Sequence, residues 1–292
     1  MPQNKYLESF NRHPFNATDA TIAESVEKII NEKCDSNNNI EVYKKIYSCI
    51  DLTSLNSTDS KEDIWNFTQK VNDFEDKYPN LENVAAICVY PNFAKTVKDS
   101  LTVDTNIACV SGGFPSSQTF SEIKIAETAL AIADGANEID IVLNLGLFED
   151  RSYQELSEEI SEIKEACHDA TLKVILETGA LKTLEDIHKA SILALYSGAD
   201  FLKTSTGKGY PGASPEAAYV MSNAIKSYFK KTGTKVGIKL SGGISTVKDA
   251  IMYYTIVKEV LGEEWCNKSL FRIGASRLAN SLLKEITENQ TT

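Results

Sequence analysis

The chain has 292 residues, of which 42% are hydrophobic and 24% are charged. It can therefore form a sizeable core, as two ordinary domains or as one large α/β barrel. The formal net charge of −11 argues against a nucleic-acid surface or an anionic membrane as the main partner. An anionic small substrate is compatible with this charge, because a pocket can be locally positive.

Cysteine and histidine usage argues against a metal site. The six cysteines are scattered without a C-x-x-C pair, and the three histidines show no partner pattern, so we expect neither a metal ion nor a histidine-based catalytic triad. The first residues carry no apolar signal segment, and no apolar run reaches the length of a membrane span. We therefore expect a cytoplasmic protein from a reducing compartment.

The N-terminal part of the chain differs in composition from the rest. Residues 1–40 are polar, and we interpret them as an extension with one helix, carried by a weak apolar pattern at Ile22, Val26, Ile29 and Ile30. We expect this helix to pack on the outside of the main domain. That domain is predicted to comprise residues 41–292.

Strand and helix patterns alternate eight times in the main domain. Continuous apolar runs, typical of parallel strands buried on both faces, cover residues 46–53, 85–90, 106–113, 138–144, 172–178, 201–206, 235–243 and 270–276. Helical periodicities cover residues 61–78, 93–101, 117–133, 154–170, 183–196, 214–231, 246–261 and 277–288. Eight such units predict a (β/α)8 TIM barrel. An open doubly wound sheet is the alternative, but the first strand lacks the glycine-rich turn of a dinucleotide-binding sheet.

Three ionisable residues stand inside predicted strands: Asp140, Lys203 and Lys239. A second ammonium about 6–7 Å from a lysine costs about 2.5 kcal/mol at an effective dielectric constant of about 20. This repulsion lowers a lysine pKa by about two units, and burial can lower it further. One lysine of such a pair becomes a free amine near neutral pH, as the Schiff-base chemistry of an aldolase requires. A nearby aspartate can transfer the protons.

Small residues gather where the last three predicted strands end, which in barrels is the usual place of a phosphate site. Gly242 and Gly243 alone would indicate only a tight turn. Together with Gly274, Ala275 and Ser276 on the next strand, they favour phosphate binding by backbone N–H groups and a helix N-terminus.

These motifs resemble the deoxyribose-phosphate aldolase family of class I aldolases, and the resemblance extends over residues 46–285. Its most specific parts are the run Lys203-Thr204-Ser205-Thr206-Gly207-Lys208 and the Lys239 strand with Gly242-Gly243. Further matching segments are Cys49-Ile50-Asp51-Leu52-Thr53, Ala86-Ile87-Cys88-Val89-Tyr90-Pro91, Glu138-Ile139-Asp140-Ile141-Val142 and Phe271-Arg272-Ile273-Gly274-Ala275-Ser276.

The resemblance implies a role for each candidate residue. Lys203 would form the Schiff base, Lys239 would lower its pKa, and Asp140 would be the proton-transfer acid and base. Substrate contacts are implied for Asp51, Thr53, Cys88, Thr206 and Lys208, and phosphate contacts for Gly207, Gly242, Gly243, Gly274 and Ser276. The implied reaction is the reversible cleavage of 2-deoxy-D-ribose 5-phosphate to D-glyceraldehyde 3-phosphate and acetaldehyde, without a metal ion or an organic cofactor. The sequence leaves the oligomeric state open, and a homo-oligomer is compatible with it.

The sequence departs from the family pattern at three places. Leu240-Ser241 stands where Pro-Ala or Ala-Ser is common, and Arg277 stands where many members carry a second serine or another small residue. Many bacterial members end in a flexible tail with a terminal tyrosine implicated in proton transfer. The last residues here contain no tyrosine, so that role is expected to be absent or supplied elsewhere, with Tyr210 as one candidate.

Three other functions are alternatives. The chain could be a class I aldolase for another phosphosugar. A non-catalytic sugar-phosphate-binding barrel would predict the loss of Lys203, Lys239 or Asp140, all of which are present. A barrel isomerase would need a base at a strand end, for which Glu177 is the only candidate.

Overall fold

Eight short apolar segments form parallel strands that close into a barrel, as predicted. The computed structural model describes residues 5–288. Its strands are β1 Ile50–Thr53, β2 Ala86–Val89, β3 Asn106–Ser111, β4 Glu138–Val142, β5 Thr171–Ile175, β6 Phe201–Lys203, β7 Gly237–Ser241 and β8 Phe271–Ala275. Neighbours in the chain are neighbours in the sheet, and β8 pairs with β1 to complete the (β/α)8 barrel.

Of the helices within residues 5–288, three precede the first strand, one follows the last strand, and the others lie between strands. The helices are α1 Lys5–Arg12, α2 Asp19–Lys33, α3 Ile40–Ser48, α4 Lys61–Asn72, α5 Phe74–Lys77, α6 Ala94–Ser100, α7 Ser121–Ala133, α8 Leu145–Glu149, α9 Tyr153–Cys167, α10 Leu184–Tyr196, α11 Pro215–Thr232, α12 Val247–Leu261 and α13 Arg277–Glu288. The helix predicted over residues 61–78 is in fact two helices, α4 and α5, which meet at Asp73. The short helix α8, whose first turn is capped by the Asn144 side chain, was not predicted.

The predicted start of the first strand was wrong. Residues 46–48 belong to α3, which Asn39 caps by accepting a hydrogen bond from the Val42 N–H. Val42 and Ile46 are four residues apart and both are buried. Their spacing is that of one helix face, so the apolar run at residue 46 marks the end of a helix and only Ile50 begins the strand.

The N-terminal extension contains two helices before α3, where the sequence predicted one. Thr18 caps α2 by accepting a hydrogen bond from the Thr21 N–H. Ile22 and Val26 are buried, and α2 packs against α11 and α12 on the outside of the barrel. Within residues 5–288, no helix is both long and apolar enough to cross a membrane.

The inside of the barrel has an apolar half and a charged half. On β2 and β3, small apolar side chains face one another in a cluster of Leu55, Ala86, Cys88, Ala108 and Val110. On β4 to β8 and on β1, lysine, arginine and carboxylate side chains face the interior instead. The charged side chains of the barrel interior therefore come from six of the eight strands, and β2 and β3 contribute none of them.

Candidate active site

The inward-facing side chains of β4, β6 and β7 bring the three predicted catalytic residues together. Lys203 on β6 is in register with Lys239 on β7. Lys203 Nζ donates to Asp140 Oδ2 at 2.7 Å, and Lys239 Nζ donates to the same oxygen at 2.8 Å. Because both amines bind one oxygen, they lie closer together than the ~6–7 Å expected from the sequence.

Asp140 also binds a third lysine, which the sequence analysis did not single out. Lys173 on β5 donates to Asp140 Oδ1 at 2.9 Å, and its Nζ lies 2.5 Å from Glu138 Oε2. Both Asp140 and Lys173 are 0% exposed. Three ammonium groups thus surround one carboxylate, and both of its oxygens are occupied.

A second layer of charges lies deeper in the barrel. Arg272 on β8 donates to Asp51 Oδ1 at 2.6 Å and to Glu138 Oε1 at 2.7 Å. Asp51 Oδ2 lies 2.5 Å from Lys239 Nζ, so the two layers are joined. Charge-assisted bonds of this kind are about twice as strong as neutral ones, and they let three carboxylates and four cations share a buried space.

The environment lowers the pKa of Lys203. Burial of the ammonium is the main cause, and the charge of Lys239 acts in the same direction. Asp140 opposes both by favouring the charged form. The net effect makes Lys203 the lysine of the cluster most easily converted to a free amine.

Lys239 and Lys173 are affected in the opposite sense. Burial disfavours their charge, but Asp140 and the other carboxylates outweigh burial and raise the pKa of both lysines. Burial likewise disfavours the charge of Asp140, yet Lys173, Lys203 and Lys239 hold its pKa well below the usual range. The pKa shifts therefore favour the charged forms of Asp140, Lys173 and Lys239, whereas they make Lys203 easier to deprotonate.

A cavity of about 360 Å³ opens above this cluster, at the carboxyl ends of the strands. Of the cluster, only Lys203 contributes to its wall. The other predicted residues in the wall are Thr53, Thr206, Gly207, Lys208, Gly242, Gly243, Gly274 and Ser276. Four strand ends and their loops therefore meet around the amine of Lys203.

Two residues predicted to contact substrate lie below this wall. Asp51 is 0% exposed and is held between Lys239 and Arg272. Cys88 is also fully buried, in the apolar cluster of β2 and β3, and burial raises the pKa of its thiol. Neither side chain is among those that line the cavity, and their contacts with substrate stay predictions.

Two glycines of the cavity wall lie close against neighbouring groups. Gly242 has a φ of +88°, and a Cβ there would lie 2.7 Å from the Gly212 Cα. At Gly274 a Cβ would lie 3.1 Å from the Lys239 Cε. A side chain at Gly274 would therefore crowd the side chain of Lys239, whose amine binds Asp140.

The loop after β6 is held in place by Glu177 at the end of β5. Glu177 accepts hydrogen bonds from the Thr206 hydroxyl at 2.5 Å and from the Thr206 N–H at 3.2 Å. Lys208 Nζ in turn donates to the Leu55 carbonyl oxygen at 2.7 Å, across the cavity mouth. With both carboxylate oxygens engaged by Thr206, Glu177 positions this loop.

Arg277 and Tyr210, which the sequence left open, have different positions. Arg277 is the first residue of α13, is exposed, and lines the cavity beside Gly243 and Ser276. Tyr210 is 53% exposed and lies outside the lining of the cavity. The C-terminal residues 289–292, to which the expectation about a terminal tyrosine refers, lie outside the described residues.

The missed members of the charged cluster carry the same signal as those that were found. Lys173 and Arg272 are each flanked by apolar residues of a strand, as Lys239 is, and Lys203 follows the apolar Leu202. Glu138 shares a strand face with Asp140.

Among residues 5–288, no group of three or more His, Cys, Asp or Glu side chains is arranged to hold a metal ion.

Comparison with known proteins gives a consistent set of relatives. A family model described as DeoC/LacD family aldolase matches residues 45–282. The Homo sapiens protein named deoxyribose-phosphate aldolase is 40% identical over 263 residues, which cover 85% of this chain and 81% of that protein. A solved structure described as "QR15, an Aldolase" has a TM-score of 0.70 at 28% identity and covers 84% of this chain and 98% of its own.

One further structure shows the same fold at lower identity. A deoxyribose phosphate aldolase from Aeropyrum pernix, described as having a unique tetrameric structure, has a TM-score of 0.67 at 23% identity. The match covers 89% of this chain and 97% of that one.

Proposed function

The chain belongs to the DeoC/LacD family of aldolases, and from this premise we propose that it cleaves 2-deoxy-D-ribose 5-phosphate reversibly to D-glyceraldehyde 3-phosphate and acetaldehyde. The observation that carries the proposal is the position of Lys203. It is the lysine of the buried cluster that reaches the cavity, and its pKa is lowered by burial and by Lys239. An uncharged amine in a cavity is the nucleophile that a carbonyl substrate requires.

The reaction begins with attack of the Lys203 amine on C1 of the open-chain sugar. The carbinolamine that forms loses water and becomes a protonated imine. The C3 hydroxyl then gives up its proton, the C2–C3 bond breaks, and its electron pair moves towards the imine to give an enamine. D-glyceraldehyde 3-phosphate leaves, C2 of the enamine takes up a proton, and hydrolysis releases acetaldehyde and restores the amine.

Asp140 and Lys239 serve these proton transfers. Asp140 Oδ2 lies 2.7 Å from Lys203 Nζ, so it is within reach of a proton on the carbinolamine. Lys239 remains charged beside it and keeps Asp140 ionised in the free enzyme. Asp51, which is itself held by Arg272, holds Lys239 in place from below.

The rest of the cavity suits a phosphorylated sugar. Lys208 and the hydroxyls of Thr53 and Thr206 would bind the sugar hydroxyls, with Lys208 exchanging the Leu55 carbonyl for a substrate oxygen. The phosphate would lie at the small residues Gly207, Gly242, Gly243, Gly274 and Ser276, where side chains leave the backbone N–H groups accessible. Cys88 would contribute to the apolar side of the barrel behind the reacting carbons.

Three further parts of the proposal concern the cell. We place the enzyme in the cytoplasm and in deoxyribonucleotide catabolism, where such a substrate arises, and expect no nucleic-acid or membrane partner. A homo-oligomer is also proposed, since a relative of the same fold is described as tetrameric.

An aldolase for another phosphosugar remains the second candidate, because the cavity wall would accept other phosphorylated aldehydes.

The proposal is tested by trapping the imine. The protein is incubated with acetaldehyde and sodium borohydride, and the modified peptide is mapped by mass spectrometry. We expect an ethyl group on Lys203 and none in the Lys203→Arg variant, with exposed Lys284 as the internal control for non-specific labelling. Folded protein without an adduct would refute the aldolase mechanism and favour a non-catalytic sugar-phosphate-binding barrel, whereas an adduct on Lys239 would reverse the roles of the two lysines. Turnover of 2-deoxy-D-ribose 5-phosphate then separates the proposed substrate from other phosphosugars.

A further inference from the structure

We propose that Lys173, which does not reach the substrate cavity, keeps Lys203 as a free amine by fixing the charge balance of the buried network. This inference rests on the proposed Schiff-base function. Lys173 acts through Asp140 and is therefore a positioning residue.

The network consists of seven side chains linked without interruption by ion pairs. Lys173 lies at its centre, with Nζ at 2.9 Å from Asp140, 2.5 Å from Glu138 and 3.5 Å from Asp51. Arg272 joins Asp51 to Glu138, and Lys239 joins Asp51 to Asp140. Among residues 5–288, the ion pairs of Lys203 comprise a single contact, with Asp140.

The charges of the network do not cancel when every member is ionised. Asp51, Glu138 and Asp140 supply three negative charges, and the members Lys173, Lys203, Lys239 and Arg272 supply four positive ones. Losing one proton makes the buried network neutral, and an uncompensated charge in such a place is costly. Lys203 is the member that can lose it, because it has the fewest ion-pair contacts and alone reaches the cavity.

Because Lys173 is present, the network has one more cation than it has carboxylates, and Lys203 is the extra cation. The Lys173 ammonium group donates to Asp140 Oδ1 and at the same time forms an ion pair with Glu138. Without Lys173, the three carboxylates would face three cations, and neutrality would require Lys203 to be protonated. The loss of a buried charge that never meets the substrate would thus change the charge of the nucleophile.

The other ionisable groups around Lys203 form no ion pair with the seven-residue network in the described part of the chain. Cys88 on β2 is a thiol whose pKa burial raises, so it is uncharged. The nearby inward side chains of β3 are Ala108 and Val110. Glu177 on the β5 side is engaged by Thr206, and burial raises its pKa. Lys208 binds the Leu55 carbonyl at the cavity mouth.

The test is the pH dependence of kcat/KM, whose acidic limb reports ionisation of the free enzyme. In Lys173→Met the limb should move to higher pH, by about one unit or more for the loss of one buried charge nearby. Lys173→Arg keeps the charge and should leave the limb in place. Glu138→Gln removes a negative charge instead and should move the limb to lower pH.

The double variant Lys173→Met/Glu138→Gln provides the decisive comparison. It removes one charge of each sign, so its limb should return towards that of the unmodified protein, which loss of structure alone would not produce. Circular dichroism confirms folding in each case, and if Lys173→Met does not fold, the opposite shift of Glu138→Gln and the return in the double variant decide the question.

The outcomes separate this inference from the proposed function. Adduct formation on Lys203 that keeps the same pH profile in Lys173→Met and Glu138→Gln would overturn the role of Lys173 alone. Shifts of both variants in the same direction would also overturn it. Absence of an adduct in the unmodified protein at every pH would instead refute the Schiff-base function.

Discussion

Replacing Arg272 by methionine tests whether the deep layer of charges stabilises the barrel. Arg272 is 4% exposed and donates to Asp51 at 2.6 Å and to Glu138 at 2.7 and 3.1 Å. Methionine keeps most of the apolar volume but removes the charge, the three hydrogen bonds to the carboxylates and the one that Arg272 Nε donates to the Lys268 carbonyl oxygen. The change therefore isolates electrostatic compensation from packing.

The expected loss in the free energy of unfolding depends on which cations remain beside each carboxylate after the substitution. Removing one partner of a buried ion pair costs about 3–5 kcal/mol, because the charge left behind is uncompensated. Here Asp51 keeps Lys239, and Glu138 keeps Lys173. We therefore expect the lower end of that range, about 3 kcal/mol of the free energy of unfolding.

Urea unfolding at pH 7, followed by circular dichroism, measures the loss. The control is Lys284→Met, since Lys284 forms only an exposed pair with Glu288 and should change the free energy by less than about 1 kcal/mol. Adding Glu138→Gln to Arg272→Met should recover part of the stability by removing an uncompensated charge. A loss below about 1 kcal/mol in Arg272→Met, or a further loss in the double variant, would contradict the charge compensation inferred from the distances.

Three further predictions concern the carboxylates, the phosphate end and the lysine pair. Burial alone would raise the pKa of Asp51 and Asp140, but the surrounding cations lower it. Below about pH 4 the unfolded chain therefore binds more protons than the folded one. The urea concentration at the unfolding midpoint should therefore decrease as the pH is lowered from 5 to 3. A constant midpoint would refute this. Arg277→Ser should raise KM for the phosphorylated sugar about 5-fold, as expected for one exposed charge–phosphate contact of about 1 kcal/mol, and leave cleavage of 2-deoxyribose unchanged; an equal effect on both substrates would exclude a phosphate contact. Lys239→Met should slow trapping of acetaldehyde on Lys203 at pH 7 on the order of 100-fold, because removing a like charge about 5 Å away takes away about 3 kcal/mol of repulsion. Lys239→Arg should retain most of the rate, and equal rates in both variants would show that the charge is not the cause.

The eight strands could be predicted because each is a short apolar run buried on both faces. The failures occurred where an apolar run had a second interpretation. Ile46 and Tyr47 continue directly into β1, yet they belong to the buried face of α3, because Asn39 supplies a helix cap seven residues earlier. A strand pattern of residues 46–53 and a helix end followed by a strand look alike until the cap is considered.

The position of Lys203 and Lys239 inside the barrel could be predicted because a lysine in an apolar strand is unusual, but the same reasoning stopped too early. Lys173 stands in Leu172-Lys173-Val174 and Arg272 in Phe271-Arg272-Ile273, so both carry the signal that identified Lys203. What the sequence could not supply is the distance between strands that are not neighbours. Arg272 reaches Glu138 across the barrel, and only the closed sheet brings them together.

The closed barrel explains why so many charges can be buried beside a nucleophile that must be uncharged. Each strand contributes one or two inward side chains to the same narrow space, so Asp140 meets lysines from β5, β6 and β7 at once. In an open sheet, a strand could bring such groups only to its two neighbours. The closed barrel instead allows one more cation than there are carboxylates. It places this extra cation, Lys203, at the level of the cavity, where substrate can reach it. The proposed chemistry of Lys203 is then a property of the whole ring of charges, of which the charge of Lys239 is one part.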